Sequence, residues 1–74
     1  MDYKQYIEST PNIMLGKPVL KGTRITVELI LRKLSEGLTP ENLLKSYPGL
    51  TIEQIYSCLA YSADVISKEE VIAT

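Results

Sequence analysis

The sequence predicts a small, mainly α-helical domain: a three-helix DNA-binding bundle of the helix-turn-helix kind, preceded by short N-terminal β-strands or a hairpin. Three observations lead there. Residues 16–25, Gly-Lys-Pro-Val-Leu-Lys-Gly-Thr-Arg-Ile, place two glycines, a proline and three cations directly before an amphipathic pattern. Three helix-entry signals follow at Thr26, Thr39 and Thr51. A tight Pro48-Gly49-Leu50 turn joins the last two helices, as in a helix-turn-helix.

Element by element, residues 1–12 are polar and rich in tyrosine. Tyr3, Gln5 and Ile7 alternate with Lys4, Tyr6 and Glu8, which predicts a short strand. Ser9-Thr10-Pro11-Asn12 is a turn cluster. The apolar run Ile13-Met14-Leu15 stops at Gly16. Pro18-Val19-Leu20 and Thr23-Arg24-Ile25 read as extended pieces around Lys21-Gly22. Pro18 has no N–H to donate, so its piece belongs at an edge or a strand start.

Thr26 is the expected N-cap of a helix over residues 27–36, with Val27, Ile30, Leu31 and Leu34 on one face and Gly37 as its stop. Thr39 caps the second helix, residues 40–47, with Pro40 at its first position and Glu41 in its first turn. Pro48 disfavours helical angles at Tyr47 and ends it. Thr51 caps the third helix and forms a capping box with Gln54; Ile52, Ile55, Tyr56, Leu59 and Ala63 are its expected apolar stripe. Each entry carries a hydrophobic staple pair, Ile25 with Ile30, Leu38 with Leu43 and Leu50 with Ile55. Ser67 with Glu70, and Ile66 with Val71, repeat the cap and staple once more. So residues 64–74 read either as a continuation of the third helix or as a tail that orders on a partner.

At 74 residues the chain is expected to be one domain, with strands or hairpin over 1–25, the bundle over 26–66 and a tail over 67–74. A domain of this size buries only roughly 60% of its unfolded surface. It has one cysteine and no histidine, which leaves no internal disulfide and no zinc set. Such a core predicts a homodimer or a bound partner. The absence of a secretory leader and of a long apolar run predicts a soluble cytoplasmic protein without membrane contact.

Enzyme function is not expected, and neither is a cofactor. Histidine, the commonest general base, is missing. Cys58 lies mid-helix beside the apolar stripe, where a thiol packs as a small hydrophobe. The carboxylates scatter over helix starts. Gly16-Lys17 lacks the glycine context of a phosphate loop.

The net charge argues weakly against non-specific nucleic-acid binding, while the placement of the cations between positions 17 and 45 is less neutral. Net charge is only −1, yet Lys17, Lys21, Arg24, Arg32, Lys33 and Lys45 are six of the eight cations. For each lysine alone, solvated surface is the plainer reading. In helix-turn-helix docking the third helix offers Thr51, Glu53, Gln54 and Ser57 to the major groove. Lys17, Lys21, Arg24 and Lys45 are then the phosphate contacts, and Thr51, Gln54 and Ser57 the candidates at the bases. Against this, Thr51 and Gln54 also suit a mutual cap, Arg24 also suits a pair with Glu28, and the helix has no Arg or Lys for guanine. Helical pairs of this shape bind protein as well as DNA, and the spacing leaves both readings open.

Gly16-Lys17-Pro18-Val19 with Lys21-Gly22-Thr23-Arg24-Ile25-Thr26-Val27 resembles the signature of domain-of-unknown-function family 433. So does Tyr47-Pro48-Gly49-Leu50-Thr51-Ile52 followed by Leu59-Ala60-Tyr61 and Ala63. The resemblance covers roughly residues 5–66. It implies a VapB-type antitoxin of a type II toxin–antitoxin pair: a dimeric helix-turn-helix protein that represses its own promoter and neutralises a toxin with a PIN-like ribonuclease fold. It also implies that the N-terminal strands contribute to the dimer interface. The alternatives are a protein–protein interaction module that never touches DNA and a stand-alone transcription regulator.

Overall fold

The structure is a computed structural model and describes residues 1–68. It is mainly helical, with three helices behind a two-stranded antiparallel sheet. β1 is Ile7–Glu8, β2 Val19–Leu20, α1 Val27–Ser35, α2 Pro40–Ser46 and α3 Ile52–Ser67.

The N-terminus corrects one expectation. Tyr3–Gln5 forms a single 3-10 turn, entered through the Asp2 carboxylate, which accepts from the Lys4 N–H at 3.1 Å. Only Ile7–Glu8 is strand. It pairs with β2 in the register Ile7–Leu20 and Glu8–Val19. On its other side β2 meets the chain leading to α1 through one bridge, Val19–Thr26. The turn between them is held by Thr23, whose hydroxyl donates to the Leu20 carbonyl at 2.8 Å and accepts from the Ile25 N–H at 3.0 Å. The Leu20 N–H also donates to the Ile25 carbonyl at 2.9 Å and the Val27 N–H to the Pro18 carbonyl at 3.0 Å, so the expected hairpin around Lys21-Gly22 forms, its second arm held to β2 by a single bridge. Upstream, Met14 and Leu15 adopt positive φ (49° and 58°), and Leu15 stands 95% exposed.

The helix entries form as their caps require. Thr26, Thr39 and Thr51 each accept from the backbone N–H three residues on. Thr39 shares a full capping box with Asn42, which the sequence reading missed, and Thr51 shares one with Gln54. The staples hold: Ile30, Leu43 and Ile55 are fully buried, and Ile25, Leu38 and Leu50 pack against that core. α1 and α2 each end one residue earlier than expected. Gly37, at φ 97°, takes the left-handed position that lets the chain leave α1.

The core consists of Leu20, Val27, Ile30, Leu43, Ile55 and Cys58. The α3 stripe differs from the expected one. Ile55 and Cys58 face inward with Tyr61 packed beside them, whereas Tyr56, Leu59 and Ala63 are exposed. α3 runs through to Ser67, whose hydroxyl donates to the Asp64 carbonyl at 2.6 Å. The second cap and staple involving Glu70 and Val71 lie outside the described residues. Among the described residues no helix is long and apolar enough to cross a membrane.

Candidate functional site

The seven residues expected at DNA divide sharply. Ser57 is a correction. It is fully buried, and its hydroxyl donates to the Gln54 carbonyl at 2.6 Å. A side chain in the core with its proton engaged reaches no base. Thr51 and Gln54 bond each other: the Thr51 N–H donates to Gln54 Oε1 at 2.9 Å, and the Gln54 N–H to Thr51 Oγ1 at 3.2 Å. Bidentate recognition of adenine needs both ends of the glutamine amide. Here the oxygen end already accepts from Thr51.

Lys17 is also engaged. Its Nζ lies 3.2 Å from Glu28, whose other oxygen takes Arg32 Nε at 2.9 Å. The Arg32 guanidinium, and after it Lys17, hold the Glu28 carboxyl below the usual carboxylate range. Glu28 is thus occupied by Lys17 and Arg32, which replaces the expected Arg24–Glu28 pair. Lys21, Arg24 and Lys45 remain exposed, without an ion-pair partner among the described residues. Lys45 sits in the last turn of α2, where a cation complements the helix dipole.

A concave site lies elsewhere. Between α1 and the C-terminal half of α3 lies a groove of about 550 Å³. Its apolar lining comes from Pro18, Val27, Leu31, Tyr61, Val65 and Ile66, with the Lys17–Glu28–Arg32 cluster at the charged edge. The groove exists because α1 places Val27 and Leu31 one turn apart on the face toward α3, while α3 offers Tyr61 and Val65 at the same spacing. Val65 and Ile66 are 44% and 59% exposed. Apolar side chains beneath a charged edge are the makeup of a surface that buries part of another molecule.

The far end of α3 is anchored. Tyr3 Oη donates to Asp64 at 2.5 Å, and the Tyr3 ring meets Tyr61 edge-on, centroids 5.4 Å apart. That bond, joined by Lys68 at 3.2 Å, holds the Asp64 carboxyl low. Cys58 is buried, and desolvation pushes its thiol up to about 11, the opposite of an activated nucleophile. Among the described residues no cluster of His, Cys, Asp and Glu is placed to hold a metal. The sequence reading missed the groove. Its only signal was the apolar i, i+4 pairs 27/31 and 61/65, on helices whose relative placement the sequence does not state.

Caps, a short sheet, an apolar groove and a buried thiol together define a small, mainly helical domain. The chain belongs to the family described as protein of unknown function (DUF433), whose pattern matches residues 7–62. It is similar to a crystal structure of a DUF433 member protein from Anabaena variabilis ATCC 29413. The TM-score is 0.79 at 28% identity, over 90% of this chain and 70% of that one. It is also 30% identical over 59 residues to the uncharacterized protein y4eO of Sinorhizobium fredii (strain NBRC 101917 / NGR234). That match takes in 80% of this chain but 27% of the relative, so the chain spans about a quarter of that protein's length.

Proposed function

We propose that the chain is a protein-binding domain of the antitoxin kind, which neutralises a PIN-like ribonuclease toxin by holding an apolar segment of it in the α1–α3 groove. The observation that carries this reading is the groove itself, about 550 Å³ and lined by Leu31, Tyr61, Val65 and Ile66 beneath a charged edge. Burial of such a lining against a partner is driven by removal of apolar surface from water. The partner class is taken from the resemblance of the sequence motifs to VapB-type antitoxins. The presence of a matching stretch inside a much longer relative fits a domain that works by attachment.

The reading requires a small PIN-like protein encoded beside this chain, and co-expression with that neighbouring gene's product tests it. A stoichiometric complex that loses ribonuclease activity supports it, and separate elution of two active proteins refutes it.

A second reading, autorepression through a dimeric helix-turn-helix, keeps support from one observation. Lys21, Arg24 and Lys45 are exposed cations free of ion pairing among the described residues. In that reading they contact phosphates, and sequence preference comes from DNA shape, because Ser57 is buried and Gln54 is engaged by Thr51.

A further inference from the structure

The outer face of α3 carries a second apolar line, which meets the groove at Ile66. Ile52, Tyr56, Leu59, Ala63 and Ile66 follow one another at steps of four, three, four and three residues. This alternation is the repeat that keeps side chains on one seam facing another helix. It persists along all of Ile52–Ser67, about 24 Å of helix. Ile52 packs partly against the core, but Tyr56 is 52%, Leu59 44% and Ile66 59% exposed, and Ala63 is exposed as well. The domain's own core uses the neighbouring line through Ile55 and Cys58 instead.

We propose that this line is the seam of an antiparallel α3–α3 pair between two copies of the chain. The seam is symmetric about Leu59. Run in reverse, Leu59 meets the partner's Leu59, Tyr56 meets the partner's Ala63, and Ile52 meets the partner's Ile66. Each layer sets large against small or like aliphatic against like, as close packing requires. Charge selects the same orientation. A parallel pair would set Glu53 against the partner's Glu53, whereas the antiparallel pair brings Glu53 to the partner's last turn, where Asp64 and Lys68 bond each other at 3.2 Å. Opposed helix dipoles add to this preference. From Thr51 to Ser67 the helix carries no cation, so an anionic polymer is the wrong occupant. Ile66 also lines the groove, but Tyr56, Leu59 and Ala63 do not, so substitutions at 59 and 63 test the pairing apart from the toxin-binding reading.

The test combines mass with cross-linking. Light scattering of the purified chain should give about twice the 8.3 kDa chain mass. Leu59→Glu and Ala63→Glu, both at exposed positions, should each return it to the single-chain mass with the helical circular dichroism unchanged. Should Leu59→Glu lose helicity, Ala63→Glu decides. In the antiparallel pair two copies of residue 59 lie side by side, while two copies of residue 66 are about 21 Å apart along the axis. Leu59→Cys should therefore oxidise to a covalent dimer and Ile66→Cys should not, with wild type, whose Cys58 is buried, as the blank. A single-chain mass at hundreds of micromolar overturns the proposal. So does a dimer that survives both glutamates, or equal cross-linking at the two positions, which marks a parallel pair.

Discussion

Tyr3 and Asp64, 61 positions apart in sequence, are joined by a 2.5 Å hydrogen bond that ties the N-terminal turn to the last third of α3. The bond places Tyr3 against Tyr61, one of the groove-lining residues, so the start of the chain helps fix the wall of the site. It also has an electrostatic signature. The hydrogen bond to the carboxylate raises the Tyr3 hydroxyl above the usual tyrosine range, and the same bond lowers Asp64.

The linkage signs follow from those directions. Asp64 and Glu28 are depressed on folding, so the stability they contribute is present above the usual carboxylate range and is lost as pH falls through their folded values. Tyr3 is raised, so its contribution is complete at neutral pH and is lost as pH climbs through its folded value. Tyr3→Phe keeps the ring contact and removes the donor. NMR titration of Tyr3→Phe should show the Asp64 carboxyl moving up toward its ordinary range, with a lower melting midpoint at pH 7. An unmoved Asp64 titration would mean the bond is absent in solution.

Cys58 should behave as a core atom. With its thiol at about 11 and no exposed surface, the thiolate is scarce at pH 8. A disulfide reagent such as DTNB should label it only as fast as the domain opens, and at once in guanidinium. Rapid labelling of the folded chain would place Cys58 at the surface.

Gly22 and Gly37 hold φ of 77° and 97°, and a Cβ at either would meet open space. The penalty for replacing them is thus backbone strain alone. Gly37→Val and Gly22→Val should each destabilise by more than about 1 kcal/mol, read by thermal melting. A neutral midpoint would show that the turns relax to another geometry.

Lys21→Ala, Arg24→Ala and Lys45→Ala test the DNA reading. If these cations meet phosphates, each replacement should weaken binding to every duplex and reduce the salt slope by about one unit. Gln54→Ala should leave sequence preference unchanged, because Gln54 already accepts from Thr51; its effect belongs in the melting curve as a lost cap, at about 1 kcal/mol. A loss of preference with unchanged stability would restore Gln54 as a base reader.

Much of the helical framework was legible because capping is local. Thr26, Thr39 and Thr51, with their staples, fix three starts within a few residues each. The inward face of α3 was not. This helix is apolar on two adjacent lines, 52/56/59/63/66 and 55/58 with 61, and periodicity cannot say which one the rest of the chain covers. Ser57 was misplaced for the same reason: once 55 and 58 turn inward, 57 goes with them, and a small hydroxyl bonded to the Gln54 carbonyl is tolerated there. The groove and the Tyr3–Asp64 bond depend on contacts between distant segments, which no local pattern encodes.

The most direct test of the protein-binding reading is calorimetric titration of the chain, as wild type and as Val65→Glu, into the product of its neighbouring gene, which the reading requires to be a small PIN-like protein. Val65 lines the groove and is 44% exposed, so a glutamate there spoils the site with little effect on the core. Wild type should bind saturably, Val65→Glu should not, and the combined Lys21, Arg24 and Lys45 alanine variant should bind as wild type does. Equal binding by wild type and Val65→Glu, or no heat from either, would contradict the reading.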